Sequence, residues 1–412
     1  MRAALLDALL GPGLLNRGTD VALLRYHLSV EFLKHFFFLG WPHTRRHRPR
    51  LTRRSHEAYT RIKRRAQRRE AIMANHFEVI DADGHITEED SQLKKYMDAR
   101  YRDRAATLTP RDSWDRSLSG TLGTRARDAK SWLDAMDKGG VSTAVLYPTN
   151  GLSVGWIREP DVAVAYAKAW NDFCAEEFQK VSPRLKAVAL VPFQDVPEAV
   201  KELRRAVQEL KLVGLMLPAV GLRLPLGHES FWPIYEEAQK LDCMVGVHAT
   251  VRGPHYFAGD LFDQFIEVHT LSHSFAQMMQ CCSFMFRGVF DRFPKLRVAF
   301  MEAGCSWAPY WFGRMNEEWE KRGAVEAPKC KKKPSDYLKE GRIYLHAEDY
   351  EPLIGATAGL LTHKVIYYAS DYPHWDTEFP ENIEHLGRRE DLNDEAKKWL
   401  FAESAKNLYN LQ

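Results

Sequence analysis

The sequence is poor in cysteine, and its cysteines show no spacing typical of a metal-binding finger or a disulfide framework. They lie at Cys174, Cys243, Cys281, Cys282, Cys305 and Cys330, without a Cys-x-x-Cys pair. This usage is typical of reduced cytosolic proteins, because disulfides persist in oxidising compartments. For Cys305, which lies near the end of the sixth predicted strand, the sequence identifies no base, so a nucleophilic role is not favoured. We therefore expect a cytoplasmic protein.

The sequence also lacks long uncharged apolar runs, and the part of the chain after residue 72 has no excess of basic residues. The apolar segment 21–41 is interrupted by Arg25, Glu31 and Lys34, and no uncharged run approaches the ~20 residues of a membrane span. Residues 1–72 contain 16 Lys and Arg against 5 Asp and Glu, which leaves 42 against 50 for the rest of the chain. We therefore expect no membrane span and no nucleic-acid partner for the globular part.

Residues 1–72 differ in composition from the rest of the chain. Their apolar segment precedes a basic run at 44–54, a combination found in amphipathic helices at membrane interfaces. A signal peptide fits poorly, because the apolar stretch comes late and no small-residue cleavage site comes after it. Since Met73 leads directly into the first predicted strand, we interpret 1–72 as an extension outside the native domain and 73–412 as one domain.

From Met73 onward, short apolar runs alternate with segments of helical periodicity. The runs predict strands at Phe77–Asp83, Ser142–Tyr147, Lys186–Val191, Val213–Leu217, Met244–His248, Leu296–Glu302, Arg342–His346 and Val365–Ser370. Helices are predicted at Asp161–Lys180, Val196–Glu209, Glu229–Leu241 and after Trp307. Short continuous apolar runs are typical of strands that are buried on both faces. Eight of them over ~340 residues predict an α/β fold, a (β/α)₈ TIM barrel.

A doubly wound sheet is the alternative, but it usually carries a glycine-rich phosphate turn after its first strand, which Asp83-Gly84-His85 does not provide. Long loops are expected at Met97–Ala129 and Tyr256–Gln280, the latter turning helical from Leu271, and Ala324–Pro334 is expected to be a solvated connector. In a barrel, long loops after strands build the pocket.

Polar side chains lie at the ends of three of the predicted strands. Asp83 and His85 are two residues apart in the first and so project to one face. His248 ends the fifth strand and Asp371 comes directly after the eighth. Taken singly, a turn carboxylate, a rim histidine and a capping aspartate are common interpretations. A barrel brings these strand ends to one face, so together they predict a site for a divalent metal ion.

The sixth predicted strand ends in Glu302 after a mostly apolar run. A buried carboxylate there needs a cation or hydrogen bonds. Glu302 is therefore a metal ligand, a general acid or base, or a salt-bridge partner, for example of Arg314. His269 and His273 are four residues apart, on one face of a helix. Because no His-Glu-x-x-His motif accompanies them, pocket lining or packing is favoured over metal binding.

Five stretches carry a family resemblance. They are Ile80-Asp-Ala-Asp-Gly-His85, Phe231-Trp-Pro-Ile-Tyr-Glu-Glu-Ala238, Val245-Gly-Val-His-Ala249, Arg292-Phe-Pro-Lys-Leu-Arg-Val-Ala-Phe-Met-Glu-Ala-Gly304 and Tyr368-Ala-Ser-Asp-Tyr-Pro-His374. In this order, the chain from about Asn75 to Leu411 resembles the amidohydrolase-2 family of metal-dependent hydrolases, typified by aminocarboxymuconate-semialdehyde decarboxylase.

The resemblance implies a barrel with one divalent metal, whose ligands fall on Asp83, His85, His248 and Asp371. The family's sixth strand often ends in a histidine that transfers protons, and this sequence has Glu302 in that place. The candidates for proton transfer are therefore Glu302, Asp371 and His374, although a surface turn is an equal alternative for His374.

Two further residues are candidates for substrate binding. Arg252 can form a carboxylate fork, although an exposed arginine is more common, and His346 can hydrogen-bond to substrate. The donor set suits Zn²⁺, Mn²⁺ or Fe²⁺, with Zn²⁺ preferred. The expected partner is a small carboxylated molecule, and a homo-oligomer is left open.

The expected reaction is non-oxidative decarboxylation of an aromatic-like substrate. The first alternative is hydrolysis of an ester, thioester or amide by metal-bound water. The second is a metal-binding barrel that has lost catalysis, which the replacement by Glu302 keeps open.

Overall fold

Eight parallel strands form the centre of the molecule in the computed structural model, which describes residues 77–103, 108, 128–250 and 261–412. The strands are β1 (Ile80–Ile86), β2 (Thr143–Pro148), β3 (Leu185–Ala189), β4 (Gly214–Pro218), β5 (Met244–His248), β6 (Val298–Phe300), β7 (Ile343–Ala347) and β8 (Ile366–Tyr368). They form one sheet in chain order, β1 to β8, and every neighbouring pair is parallel. The predicted (β/α)₈ barrel is confirmed.

Backbone hydrogen bonds join the first strand to the segment after the last. The N–H of His85 donates to the carbonyl of Tyr372 at 2.7 Å, and the N–H of Asp371 donates to the carbonyl of Asp83 at 3.0 Å. These bonds close the sheet on itself at the end of β1, where a free edge would otherwise leave polar groups unpaired. The barrel therefore closes between the residues predicted to bind metal.

Helices connect the strands on the outside of the barrel. The α-helices are α1 (Asp90–Leu93), α2 (Ala99–Arg102), α3 (Ala129–Gly139), α4 (Pro160–Cys174), α5 (Val196–Gln208), α6 (Trp232–Lys240), α7 (Phe265–Phe286), α8 (Val289–Arg292), α9 (Ala308–Glu326), α10 (Pro334–Lys339), α11 (Ile354–Leu360), α12 (Glu381–Gly387), α13 (Asp394–Lys398) and α14 (Ser404–Tyr409). Short 3₁₀ turns lie at Lys94–Tyr96, Asn150–Trp156, Glu229–Phe231 and His363–Val365, and π-helical turns at Ala175–Gln179 and Trp399–Glu403. None of these described helices is long and apolar enough to cross a membrane.

The strands are buried on both faces, as their apolar composition predicts. Every residue of β4 and β5 is buried, because helices cover the outside and side chains fill the inside. The C-terminal helix α14 is tied to the barrel through Tyr409, whose hydroxyl donates to the carbonyl of Ala82 at 2.6 Å and lies 2.7 Å from the hydroxyl of Tyr147. Helix α14 thus supports β1 at the residue before Asp83.

Several predicted boundaries are wrong: β3, β6 and β8 are shorter than predicted, and β1, α7 and α9 differ as follows. Strand β1 continues to Ile86, because the closing hydrogen bonds carry it past His85. Helix α7 begins at Phe265, so the loop predicted to Gln280 is mostly helical; polar residues on its cavity side obscure the helical periodicity. Helix α9 runs to Glu326, which shortens the predicted connector. Most of the loop 97–129, the candidate Arg252 and the extension 1–72 lie outside the described residues.

Candidate metal centre

Strand β1 supplies Asp83 and His85, both fully buried. The Nδ1 atom of His85 lies 3.0 Å from the carbonyl oxygen of Pro148 in β2. Because a carbonyl only accepts, we assign the ring proton to Nδ1, which leaves the lone pair of Nε2 free. That Nε2 lies 3.5 Å from Oδ1 of Asp83. The neighbouring strand therefore sets the tautomer in which His85 can bind a cation.

Glycine is required between these two residues. A Cβ atom at Gly84 would lie 2.3 Å from Cη2 of Trp132, closer than real Cβ contacts come. The indole N–H of Trp132 also donates to the carbonyl of His85 at 3.0 Å. The ring of Trp132 thus packs against the backbone of β1 and holds it in place.

Strand β5 presents His248 in the same manner. Its Nδ1 atom lies 2.8 Å from the carbonyl oxygen of Ala249, so the lone pair of Nε2 is again free. The Nε2 atom lies 3.5 Å from Oδ2 of Asp83 and 3.3 Å from Oε2 of Glu302. Asp83 therefore lies between the two imidazoles, with one oxygen facing each.

Asp371 comes after β8 in a left-handed backbone conformation, with φ at 53°. Such a conformation is uncommon for residues other than glycine and is often found at functional sites. Its Oδ1 atom lies 3.3 Å from Nε2 of His85 and 2.7 Å from Nδ1 of His374. The other ring nitrogen of His374 contacts the hydroxyl of Thr149 at 3.1 Å. His374 is buried and orients Asp371, which gives no support to the surface-turn alternative.

Glu302 also has a left-handed backbone, with φ at 49°. Its Oε1 atom lies 3.3 Å from Nε2 of His273 in α7, while Oε2 faces His248. The salt bridge to Arg314 is wrong, because Arg314 pairs with Glu317 and Glu318 on its own helix. The expected pocket-lining position of His273 matches the structure.

A buried carboxylate supports the turn that holds Glu302. The side chain of Glu351 accepts hydrogen bonds from the backbone N–H groups of Cys305 at 2.9 Å, Ser306 at 2.7 Å and Glu348 at 2.9 Å. Burial raises the pKa of the Cys305 thiol well above its usual value, which agrees with the expectation that this cysteine is not a nucleophile.

The atoms that converge here fit a single divalent cation. Among the described residues, both carboxylate oxygens of Asp83, Nε2 of His85, Nε2 of His248 and Oε2 of Glu302 are buried without a hydrogen-bond partner. Unpartnered buried acceptors are rare and costly. Neighbouring atoms in the cluster lie 3.3–3.5 Å apart, and ligands that share an ion at about 2.0–2.2 Å are separated by roughly this distance.

The electrostatics of the cluster also favour a cation. Burial, followed by the nearby carboxylates of Asp376 and Asp83, raises the pKa of Asp371 well above its usual value. Burial, followed by Asp371, raises the pKa of Glu302 in the same direction. Burial, followed by the neighbouring imidazoles of His374 and His248, lowers the pKa of His85. Several acids and neutral imidazoles in one buried place are the groups that a divalent ion stabilises.

A cavity of about 370 Å³ opens beside this cluster, a volume suited to a small molecule. Its walls include His269, His273, Glu302, Glu348, Asp371 and Asp376. His346, predicted to contact substrate, does not line this cavity: it is fully buried, with Nε2 3.3 Å from the carbonyl of Ala369 and Nδ1 3.2 Å from Glu348. Geometry thus gives no support to a direct role for His346.

Sequence reasoning missed several of these residues. Thr149, Glu348 and Asp376 reach the site from loops after β2, β7 and β8, and nothing in their local sequence distinguishes them. Only the spacing of His269 and His273 gave a signal, since two histidines four residues apart share one face of a helix. In the structure, the face of α7 that carries His269 and His273 lines the cavity.

Comparisons with known proteins agree with this architecture. The chain is 26% identical to 2-amino-3-carboxymuconate-6-semialdehyde decarboxylase of Dictyostelium discoideum over 53% of this chain and 59% of that protein, so the match spans less than two thirds of that relative. It is 26% identical to gamma-resorcylate decarboxylase of a Polaromonas species over 74% of this chain and 94% of that protein.

Solved structures share the fold. The 2,6-dihydroxybenzoate decarboxylase from Rhizobium matches with a TM-score of 0.62 at 20% identity, over 81% of this chain and 99% of that one. The 5-carboxyvanillate decarboxylase of Novosphingobium aromaticivorans, solved with bound manganese, matches with a TM-score of 0.65 at 20% identity, over 81% and 97%. The family model for amidohydrolases matches residues 80–411. The chain is therefore an enzyme of the amidohydrolase family.

Proposed function

We propose that this protein is a metal-dependent, non-oxidative decarboxylase of a small aromatic carboxylate. The observation that carries the proposal is the convergence of unpartnered buried ligand atoms from β1 and β5 with Asp371 beside a cavity of about 370 Å³. The similar proteins from Dictyostelium, Polaromonas, Rhizobium and Novosphingobium support the reaction type, because each is named as a decarboxylase.

Asp83, His85, His248 and Asp371 would hold the metal. When bound there, a divalent ion supplies positive charge that polarises the substrate's oxygens. Two imidazoles and two carboxylates suit zinc and manganese alike, so the preference for zinc stays a prediction, and the bound manganese of a structural neighbour makes Mn²⁺ the second ion to test. The same charge would neutralise the buried carboxylates.

Glu302 is the proposed proton donor. In decarboxylation the bond between the carbon and the carboxylate breaks, the electron pair stays on the carbon, and that carbon takes up a proton as CO₂ leaves. Burial raises the pKa of Glu302 and its side chain lines the cavity, both of which favour a role in proton transfer. Asp371 and His374 were also candidates for this role, but their mutual contact at 2.7 Å suits a ligand and its orienting partner better.

The test is to offer the full-length, metal-loaded protein a panel of hydroxylated benzoates together with aryl esters and thioesters. Carbon dioxide and the decarboxylated arene are expected from at least one acid, and a chelator should abolish their release. His248→Ala should lose this activity while remaining folded. Release of free acid and thiol without CO₂ would replace the proposal with hydrolysis, and wild-type turnover by His248→Ala would show that the site lies elsewhere.

A further inference from the structure

A second carboxylate lies in β1, two residues before Asp83. Asp81 is fully buried, as Asp83 is, but the two carboxylates have different surroundings. Both oxygens of Asp83 lack a hydrogen-bond partner among the described residues, whereas both oxygens of Asp81 accept hydrogen bonds. Asp81 is therefore not a further free ligand for a metal ion, because its acceptor positions are already in use within the protein.

Both groups that bind the oxygens of Asp81 belong to Ser370, the residue directly before Asp371. The N–H of Ser370 donates to Oδ1 at 2.8 Å, and its hydroxyl donates to Oδ2. Strand β8 ends at Tyr368, so this buried N–H lies beyond the strand and takes its acceptor from a side chain. The N–H of Asp83 also approaches Oδ1 of Asp81 at 3.3 Å. One buried carboxylate thus contacts the backbone of both carboxylate ligands of the proposed metal site.

The remaining polar groups of Ser370 are held as well. Its Oγ atom accepts a hydrogen bond from the N–H of Tyr372 at 2.9 Å, and its carbonyl accepts one from the hydroxyl of Thr377. Asp371 follows with its left-handed φ of 53°. Such a backbone conformation costs free energy and persists only where its surroundings fix it. The hydrogen bonds of Ser370 are therefore what fixes the direction in which the Asp371 side chain leaves the backbone.

We propose that Asp81 and Ser370 are a positioning pair that holds the carboxylate of Asp371 in place for metal binding. The inference rests on the metal site of the proposed function. A ligand that is already fixed loses little conformational freedom when the ion arrives, so its share of the binding free energy is larger. Hydrogen-bond partners that orient ligands from outside the coordination sphere typically contribute about 10- to 100-fold to metal affinity.

Two substitutions break the pair from opposite sides. Asp81→Asn keeps the size of the side chain but has one acceptor oxygen instead of two, so one of the two donors of Ser370 loses its acceptor. Ser370→Ala removes the hydroxyl alone. The Kd of the full-length protein for Zn²⁺ and for Mn²⁺ is measured by competition with a chromophoric chelator. Each substitution should weaken binding by about 10- to 100-fold, and an unaltered Kd in both variants would overturn the proposal.

The double variant tests whether the two residues act as one unit. Asp81→Asn and Ser370→Ala break the same hydrogen bond, so together they should weaken metal binding no more than the more damaging of the two does alone. Two residues that act independently would instead multiply their separate losses of affinity. A multiplied loss would therefore overturn the pairing of Asp81 with Ser370.

A matched control is available at the opposite end of β8. Ser404 is fully buried, and its hydroxyl donates to the carbonyl of Lys364, just before the strand, at 3.1 Å. Ser404→Ala therefore removes the same kind of bond away from the metal site and should leave the Kd unaltered. Equal weakening by Ser404→Ala and Ser370→Ala would show a general loosening of the barrel and would overturn the specific role of Ser370.

A spectrum separates positioning from simple support of the fold. The visible absorption of bound Co²⁺ depends on the arrangement of its ligands, so at saturating Co²⁺ the spectra of Asp81→Asn and Ser370→Ala should differ from that of the unaltered protein. The spectrum of Ser404→Ala should not. A pair that only supports the fold would lower the Tm of the metal-free protein while Kd and the Co²⁺ spectrum stay the same, and that result would overturn the proposal.

Failure of this inference is distinguishable from failure of the proposed function. An unaltered protein that binds none of these ions would defeat both together. An unaltered protein that binds metal but releases no CO₂ would defeat the decarboxylase alone, and the Kd values would still decide the role of the pair. If Asp81→Asn does not fold, Ser370→Ala decides, and an unaltered Kd in that variant would overturn the proposal.

Discussion

Replacing Asp371 with asparagine tests whether a cation holds the buried acids of this barrel together. After burial itself, nearby carboxylates that include Asp83 raise the pKa of Asp371, and Asp371 in turn raises the pKa of Glu302. The amide has almost the same shape as the carboxylate and removes one negative charge. We therefore expect the metal-free Asp371→Asn protein to unfold at a higher temperature than the metal-free unaltered protein, because repulsion in its folded state is smaller.

Metal addition should raise the Tm of the unaltered protein more than that of Asp371→Asn. A ligand present at 100 times its Kd stabilises the folded state by about 2.7 kcal/mol. A domain of roughly 330 residues, the length that the family model matches, has an unfolding entropy of about 0.7 kcal/mol per kelvin. The metal should therefore raise the Tm of the unaltered protein by about 4 °C. If the lost ligand weakens binding about 100-fold, the same concentration gives Asp371→Asn about 0.4 kcal/mol, or less than 1 °C.

The pH dependence of the metal effect has a definite sign. The pKa values of Asp371 and Glu302 are raised in the metal-free fold above their ordinary values of 3.8 and 4.5. Their contribution to stability is therefore fully present below those ordinary values and is lost as the pH rises through the raised ones. Metal binding displaces these protons, so the gain in Tm on adding metal should grow as the pH rises across this window.

Differential scanning fluorimetry of chelator-treated protein, titrated with Zn²⁺ or Mn²⁺, measures all of these effects. Asp394→Asn is the matched control, because Asp394 is an exposed carboxylate in α13 and its removal should leave the full response. An equal rise in Tm for Asp371→Asn and the unaltered protein would refute the reasoning. A metal response that shrinks with rising pH would contradict the assigned protonation.

Three further predictions concern the support of the site. Gly84→Ala should destabilise the fold by about 1–3 kcal/mol in urea denaturation, because the new methyl group meets Trp132. The control Gly359→Ala adds a methyl group in helix α11 with nothing within 4 Å, and it should stabilise the fold by up to about 1 kcal/mol. Equal effects of the two changes would contradict the packing argument. Glu351→Ala should cost about 2–5 kcal/mol, since it leaves one buried and two part-buried backbone N–H groups without their acceptor. An unchanged urea midpoint would show that the turn after β6 does not depend on Glu351. Removing residues 1–72 should leave Tm unchanged, and a loss of folded protein would refute the interpretation of 1–72 as an extension outside the domain.

The barrel and the candidate metal ligands could be predicted because both depend on strand periodicity. Eight apolar runs fixed the strand count, and Asp83, His248 and Asp371 end runs that a barrel must bring to one face. The confirmed fold places these residues within about 3.5 Å of an imidazole or carboxylate partner.

The surroundings of the site could not be predicted, because they depend on contacts between distant segments. The interaction of Thr149 with His374 joins the loops after β2 and β8, and that of His273 with Glu302 joins α7 to the turn after β6. No spacing in the chain encodes such pairs. The role of Glu302 also needed the fold, since only the structure shows that Arg314 is occupied on its own helix.

The hydrogen bonds that join Asp83 and His85 to the segment after β8 have a consequence for synthesis of the protein. They connect residues roughly 290 positions apart, so the two halves of the proposed metal centre meet only after most of the chain has left the ribosome. A nascent chain that ends before Asp371 lacks both the ligand and the backbone bond that closes the barrel. Metal should therefore enter this protein late, and capture of the ion should report that the first and last strands have met.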